Sequence, residues 1–512
     1  MVSGLSAMGR GSIYKPEDFR TGIDGFYDVI VVGSGAGGAV ISSVLAKGAK
    51  RVAILEEGRH FTLKDYRDDY FFAIKRIYRD VGSTIALSLP GKPPIAVPLG
   101  RCVGGTTVIN SGTCFRIPER VIDKWNSEEG LEIDKHQLEK FYDEIEKRIS
   151  VQPVSEEVLG ENARVVRKGA QTLGIKSHPL KRNVKGCEGC GRCAFGCPKD
   201  AKQAMHITYI PDAIEAGADL FTGTRAERII FKDDRAMGIE GTMLDEDGHP
   251  LHKCFFYGRI IVISCGAIYT PVLFMTSGIK SKSGLIGKNL KIHPAIRVGA
   301  DFEREINGWI GVPQGLFIDE FLENEGIIFE GAFVPPDMFS ISLPYTGLKH
   351  KALMERYRHM STFGAMVSET SSGMVRARGY RALIFYHLNT FDTMRLKRAV
   401  EILAEIYFSA GAKRVFTGIY AMPEIDKNSF NAFKNLKVKP SYIESMAFHP
   451  MGTMRMSSSP SRGVTGKFGE VHGFKNLFVA DASLFPTSLG VNPMEGIMAF
   501  SMRTGDYILN NF

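Results

Sequence analysis

The sequence predicts an α/β chain in two interleaved layers, a nucleotide-binding layer on a mainly parallel sheet and an α+β layer on an antiparallel sheet. Three observations predict it. A strand, glycine turn, helix, strand pattern opens at Tyr27; β-type runs return between residues 221 and 265; and residues 300–440 mix strand and helix patterns. At 512 residues the chain is about three times the usual domain length, and α/β enzymes often spend such length on one interleaved body.

The first element is "FYDVIVVGSGAGGAVISSVLAKGAKRVAILEEG", residues 26–58. Asp28 to Val32 reads as an apolar strand, Gly33 to Gly38 as GxGxxG, Ala39 to Leu45 as a helix with small residues facing a sheet, and "RVAILE" as the returning strand. Each glycine has its own task. Gly33 makes the tight turn, Gly35 lets the backbone approach a pyrophosphate, and Gly38 permits close helix packing. The phosphates would sit on the helix N-terminus beside Ala36, where free N–H groups and the dipole favour anions. Glu56 ends the second strand near the distance expected of a ribose contact. Strand, turn, helix and acid together predict a Rossmann-type dinucleotide site.

Further along, "IDKHQLEKFYDEIEKRIS" reads as a charged amphipathic helix. "FTGTRAERIIF", "AMGIEGTML" and "RIIVISCG" read as strands, with "DEDGH" as a hairpin turn between two of them. "LKRAVEILAEIYFSAG" is a helix of the second layer. At the C-terminus Asn492 is a good N-cap, Pro493 suits the first helical position, and Glu495 completes a capping-box-like pattern, so a helix is expected to start there.

Composition narrows the class. The chain is 44% hydrophobic and 23% charged, which excludes the disordered and membrane classes. Its formal net charge is +8, yet no run of five or six basic residues marks a nucleic-acid arm. No nucleic-acid partner is expected. Residues 1–25 lack the apolar core of a secretory leader. The most apolar stretch, from Ile260, is short of the ~20 residues a span needs and holds Gly266 and Pro271, so no membrane span is expected. Cys102, Cys114, Cys254 and Cys265 are scattered, whereas the other four cysteines cluster, which fits a reducing, cytoplasmic setting with one metal or redox site.

That cluster is "CEGCGRCAFGCPKDAK". Cys187, Cys190, Cys193, Cys197 and Pro198 have the CxxCxxCxxxCP spacing that wraps iron–sulfur clusters in bacterial-type ferredoxins. Zinc, a disulfide pair and a bare loop compete. The compartment disfavours disulfides, and zinc usually takes two separated knuckles. The favoured occupant is a [4Fe–4S] cluster, or [3Fe–4S] if three cysteines bind, since no second quartet exists to share Cys197.

Several motifs then occur in one order: "GRCVGGTTVINSGTCFR" (100–116), "GAIYTPVLFMTSGI" (266–279), "IGKNLKIHP" (286–294), "HPMGTMRM" (449–456) and "VADASLFPTSLGVNP" (479–493). That order resembles the glucose–methanol–choline (GMC) oxidoreductase family over Tyr27 to Leu509, nearest to its long-chain alcohol members. The resemblance implies FAD on Gly33, Gly35, Ala36, Gly38, Glu56, Gly104, Gly105, Thr106, Asn110, Ala226, Asp481, Pro493 and Met494. It implies alcohol oxidation at His449 and Asn492, with Asn492 turned toward substrate instead of capping the helix. Family members that resemble the cysteine segment include long-chain alcohol and cholesterol oxidases without a cluster; membrane-linked sugar dehydrogenases of the family carry one at different spacing.

The chemistry agrees with those residue types. Hydride loss from an alcohol needs loss of the hydroxyl proton, and histidine is a base of suitable pKa. Asn492 would donate to the developing alkoxide. The expected activity is FAD-dependent oxidation of a CH–OH group, with electrons passed through the cluster to an external acceptor, a protein or a quinone. The rivals are an O₂-using oxidase without a cluster, a lyase with an idle flavin, and a flavin-binding electron-transfer protein. The expected segments are 26–125, 206–300 and 441–512 for FAD, 126–205 for a helical and cysteine-rich stretch, and 301–440 for substrate.

Overall fold

The structure, a computed structural model, describes residues 11–19, 21–66, 69–88, 92–341 and 343–512. Residues 1–10, on which part of the no-leader expectation rests, lie outside the described residues. Apolar strands and a glycine turn produce the first layer as the sequence predicts. Asp24–Val32 runs into the turn at Gly33, the helix Ala36–Lys47 follows, and Val52–Leu55 returns parallel to the first strand, Val29 beside Val52 and Val32 beside Leu55.

This sheet has eight strands. Asp24–Val32 lies between Val52–Leu55 and the long strand Pro250–Ile263, to which it is parallel. Beyond Val52–Leu55 come Asp219–Phe221 and Ile13–Tyr14, both parallel. On the other side Thr224–Lys232, Arg235–Leu244 and Pro250–Ile263 form an antiparallel meander, and Leu477–Val479 adds in parallel at the end of the long strand. The predicted "DEDGH" turn lies within the second hairpin: the Asp245 carboxylate accepts from the Asp247 and His249 backbones. Helix Ala36–Lys47 packs against the C-terminal helix Met494–Asn511, and both contribute to one core.

The second layer is a seven-stranded antiparallel sheet in the order Glu424–Ile425, Arg414–Phe416, Ala295–Asp301, Met360–Val367, Ile327–Gly331, Leu316–Ile318, His178–Pro179. Helices Glu156–Thr172 and Thr390–Ser409 pack against it, with a core separate from that of the first layer. The sheet draws its edge strand from residues 178–179 and a central strand from 295–301, outside 301–440. A five-stranded sheet, Lys288–Leu290, Gly373–Arg378, Arg381–Tyr386, Ile85–Leu87 and Ile95–Ala96, flanks the two layers. Among the described residues no helix is long and apolar enough to cross a membrane.

Candidate active site

Two glycine loops meet at the carboxyl ends of the parallel strands. Gly33 has φ +105°, and a Cβ there would lie 2.2 Å from the Ser264 carbonyl oxygen; at Gly38 it would lie 1.9 Å from the Gly33 carbonyl oxygen. Neither position tolerates a side chain. At Gly35, by contrast, a Cβ would meet nothing within 4 Å, because the backbone faces open space. The second loop holds Gly104 at φ +92° and Gly105 at φ +54°, and a Cβ on Gly105 would come within 3.1 Å of Gly35 Cα. Ser34 ties the loops together: its hydroxyl donates to Glu56 Oε2 (2.6 Å) and accepts from the Gly104 amide (3.1 Å).

A cavity of about 750 Å³ runs from these loops into the gap between the layers, within the size range of small-molecule and cofactor sites. Gly33, Gly35, Ala36, Glu56, Gly105, Thr106, Asn110, Ala226, Asp481, Pro493, Met494, His449 and Asn492 all line it. Gly38 and Gly104 do not; they pack behind the wall and let the loops close. Asp481 accepts from Thr270 Oγ1 (2.5 Å) and from the Gly266 and Ser483 amides, and burial pushes its carboxyl upward. Burial likewise raises Glu56, which accepts from Ser34 and from the Gly58 amide (2.8 Å). Beside it, burial pushes Glu57 upward, but Arg79 at 2.7 Å prevails and holds it low. The open glycine backbone, the N-terminus of Ala36–Lys47 and the size of the cavity fit a dinucleotide such as FAD.

At the other end of the cavity the reactive side chains gather. His449 Nε2 lies 3.3 Å from Asn492 Nδ2, and Asn492 Nδ2 donates to Glu330 Oε2 (3.3 Å). Gln314 Nε2 also donates to Glu330 Oε2 (3.2 Å), while Gln314 Oε1 accepts from Thr113 Oγ1 (2.7 Å). Behind His449, its Nδ1 lies 3.2 Å from His293 Nδ1, while His293 Nε2 accepts from the Leu489 and Gly490 amides. Glu330 Oε1 and Asn492 Oδ1 are buried without a partner among the described residues. Burial pushes Glu330 up to about 7 and drives His449 well below the usual imidazole range, with His293 adding to the latter effect.

The capping expectation at Asn492 is corrected. Helix Met494–Asn511 takes Pro493 as its N-cap without a side-chain capping bond, and Asn492 points to His449 and Glu330 instead. Donation from Asn492 Nδ2 to Glu330 turns the side chain away from the helix end, and its Oδ1, the atom that would cap, accepts from no backbone amide among the described residues.

The cysteine run forms a loop against the back of the glycine-rich segment. Cys187, Cys190, Cys193 and Cys197 line one small cavity of about 20 Å³ with Arg182 and Lys202, and Gly191 is shared with the large cavity. Arg182 donates to the Cys193 sulfur (3.1 Å) and to the Ser111 carbonyl (2.8 Å). Lys202 Nζ donates to the carbonyls of Val108 (2.7 Å), Asn110 (2.5 Å) and Cys193 (2.9 Å), which ties the loop to the flavin-side segment. Burial pushes Lys202 down to about 8. All eight cysteines are free thiols, so no disulfide competes. The metal expectation for Cys187, Cys190, Cys193 and Cys197 meets a geometric disagreement: among the described residues no three Cys, His, Asp or Glu side chains converge to hold a metal ion. The thiols share a cavity but do not close on one centre.

Family models of GMC oxidoreductases match residues 27–295 and 371–501. The chain belongs to the GMC oxidoreductase family. An uncharacterized GMC-type oxidoreductase of Mycobacterium tuberculosis is 35% identical over 490 residues, 94% of this chain and 75% of the relative. A long-chain-alcohol oxidase of Arabidopsis thaliana is 29% identical, over 92% of this chain and 66% of that protein. Pyridoxine 4-oxidase of "Mesorbium loti" has the same fold, with a TM-score of 0.73 at 18% identity over 95% of this chain and 99% of that one. In this GMC oxidoreductase the sequence reading missed Glu330, Gln314, His293, Arg182 and Lys202. His293 lies inside the quoted "IGKNLKIHP", the one available signal; Glu330 sits in a strand without a motif.

Proposed function

We propose that this GMC oxidoreductase is an FAD-dependent enzyme that oxidises the CH–OH group of an apolar alcohol. The single observation that carries the reading is the meeting of His449 and Asn492, 3.3 Å apart, in the wall of the cavity that the two glycine loops open into. FAD would be held by Gly33 to Ala36, Glu56, Gly105, Thr106, Asn110 and Asp481, and when bound it supplies the two-electron acceptor for the hydride. Segments 26–125, 206–300 and 441–512 would hold the FAD and 301–440 would supply much of the substrate side, where His293, His449 and Asn492 of the flavin segments reach in beside Glu330.

The residues of this chain do the rest. His449 and Asn492 receive the hydroxyl oxygen and hold it in the water-poor end of the cavity, where hydrogen bonds to a developing alkoxide are strongest. Phe333, Val334, Met338 and Phe448 give an apolar wall on the same side, suited to a hydrocarbon chain. The long-chain-alcohol oxidases among the relatives support an apolar alcohol, and a 2-methyl-1,2-propanediol dehydrogenase of Mycolicibacterium austroafricanum at 26% identity supports alcohol oxidation more broadly. An alcohol panel mixed with the FAD-loaded enzyme without air tests this: apolar primary alcohols should bleach the flavin absorbance, and a panel without effect would remove the reading.

A cysteine-bound iron–sulfur cluster is the second part of the proposal. Arg182 and Lys202 are buried to 1% and 2% exposure, and among the described residues neither forms an ion pair with a carboxylate. Two buried cations without an anion are costly unless a negative group completes the site. Thiolates of Cys187, Cys190, Cys193 and Cys197 would hold such a cluster and supply that charge, and the chemistry it would add is one-electron transfer. Protein purified without air should contain iron and acid-labile sulfide, lost on replacing Cys190 and Cys193 by serine. FAD with neither would leave the O₂-using oxidase as the reading.

A further inference from the structure

We propose that Glu330 takes the hydroxyl proton of the substrate alcohol, while His449 faces the same oxygen as a hydrogen-bond donor. The inference rests on the alcohol-oxidising reading above and changes the part His449 plays in it.

The argument is one of hydrogen-bond polarity. His293 Nε2 lies 3.2 Å from the Leu489 amide and 3.1 Å from the Gly490 amide, both obligatory donors. That nitrogen therefore presents its lone pair, and the neutral ring carries its hydrogen on Nδ1. The hydrogen points at His449 Nδ1, 3.2 Å away. His449 Nδ1 accepts, so its own hydrogen sits on Nε2, the nitrogen that faces Asn492. Burial keeps both rings neutral, pushing His293 down to about 3 and His449 well below its ordinary value. A neutral ring fixed in this tautomer donates from Nε2 and accepts nothing there.

Two donors then face each other, His449 Nε2 and Asn492 Nδ2, at 3.3 Å. An oxygen placed against both resolves the conflict by accepting from each. That arrangement stabilises an alkoxide and leaves the proton without an acceptor, unless the neighbouring carboxylate takes it. Glu330 meets the need. Its Oε2 already receives Asn492 and Gln314, whereas its Oε1 is buried in the same site with no partner.

The surroundings leave the carboxyl sensitive to little else. Its strand pairs with Leu316–Ile318, where Phe317 lies opposite, and with Met360–Val367, where Gly364 lies opposite. The histidine of the strand beyond, His178, is also paired with Phe317. The neutral His449 and His293 line the same cavity; Arg297 stands in register with Glu330 two strands away, across Gly364, where burial pushes its guanidinium down and Glu444 pulls it up. Asp481, Arg225 and the pair Glu57 and Arg79 lie toward the glycine-loop end. Burial is the dominant influence on Glu330, and it places the carboxyl at about 7, where acid and carboxylate coexist near neutral pH.

The step balances. The O–H bond breaks and its proton joins the Glu330 carboxylate; the carbinol C–H bond breaks and its hydride, with both electrons, goes to oxidised flavin; the C=O bond forms. The alcohol is oxidised, the flavin is reduced, and Glu330 later loses its proton to solvent.

Two measurements test this. In the FAD-free protein, infrared titration should show a carboxylic-acid C=O band that fades as pH rises through about 7 and is absent from Glu330→Gln; Glu495 titrates in the same range, so the wild-type-minus-variant difference is read. In the FAD-loaded enzyme, anaerobic flavin reduction should quicken with rising pH through the same window. Glu330→Gln should be slowed roughly 10²-fold or more and lose that dependence, and Glu330→Asp should regain it. Reduction in Glu330→Gln at the wild-type rate and with the wild-type pH profile would overturn the role of Glu330 alone. If that variant does not hold FAD, a wild type lacking the titrating band overturns it, as does a pH-independent Glu330→Asp. An alcohol panel that leaves wild-type flavin oxidised would instead remove the alcohol reading beneath it.

Discussion

Two buried polar sites lie on either side of the glycine-rich segment, and they are opposite in charge. Around Glu330 there is an acid without a cation: its partners are two amides, and one oxygen has none. Around Cys193 there are two cations without an acid among the described residues: Arg182 and Lys202 meet carbonyls and thiols there. Ordinary cores avoid both conditions, because an uncompensated buried charge costs several kcal/mol. The difference teaches where each site looks for completion. Glu330 is completed by a proton, which a substrate hydroxyl can supply. The cationic site is completed by an anion, or in part by loss of the Lys202 proton, which burial makes easier.

The largest expected effect is at the histidine that both readings of the acid site need. His449→Ala should retain FAD, since the glycine loops lie at the far end of the cavity, and slow flavin reduction by alcohol about 10²–10³-fold, the scale for a lost transition-state hydrogen bond or base. An unchanged rate would break the comparison on its acidic side, because the oxygen would then be bound elsewhere.

Next comes stability against pH. In the folded chain Glu330 holds its proton to about 7, well above the ordinary value of 4.5. Between those values the unfolded chain has released a proton that the folded chain keeps. Stability therefore falls as pH rises from 4.5 to 7 and stays lowered above it. The shift corresponds to roughly 3 kcal/mol. Glu330→Gln carries no such cost, so urea unfolding of the FAD-free protein should show the variant more stable than wild type at pH 8 and little different at pH 4.5. A difference that does not change with pH would mean that the carboxylate finds a partner in the folded state.

What the sequence revealed of these sites follows the range of the forces involved. The turn at Gly33 and the packing at Gly38 are local steric demands, so GxGxxG could be read from six residues. The hairpin at Asp245 is equally local. The helix start at Asn492-Pro493 was legible, but the local pattern is also a sound cap for Asn492, and the contact that decides against capping comes from Glu330, 162 residues away in the chain. Glu330 itself belongs to an otherwise buried strand of ordinary β-formers, "IIFEG". Its role arises from what the second layer packs against, which no spacing encodes. Arg182 and Lys202 flank the cysteine run in sequence, yet only the folded loop turns both inward.

The cationic site gives a smaller effect with a diagnostic sign. Arg182→Met keeps much of the length and removes the charge. If the site awaits an anion, iron-free protein should be as stable as wild type or more stable, by about 1–3 kcal/mol, as when buried charges give way to apolar side chains. The same variant, purified without air, should hold less iron. A loss of stability without iron would show that Arg182 is already satisfied by Ser111 and the thiols, and the opposition between the two sites would weaken.

The smallest effect distinguishes most finely. Asn492 does not cap the helix, so Asn492→Ala should not incur the ~1 kcal/mol that loss of an N-cap costs. It does remove a donor from Glu330 Oε2, and that hydrogen bond holds the carboxyl lower than burial alone would. Losing it favours the protonated acid. The rise of flavin reduction with pH should therefore move upward from about 7, while the rate at high pH falls less than in His449→Ala. Stopped-flow rates across pH 6 to 10 would read both. A reduced rate with an unmoved profile would confine Asn492 to contact with the substrate oxygen, and would separate the proton acceptor from the His449 and Asn492 pair.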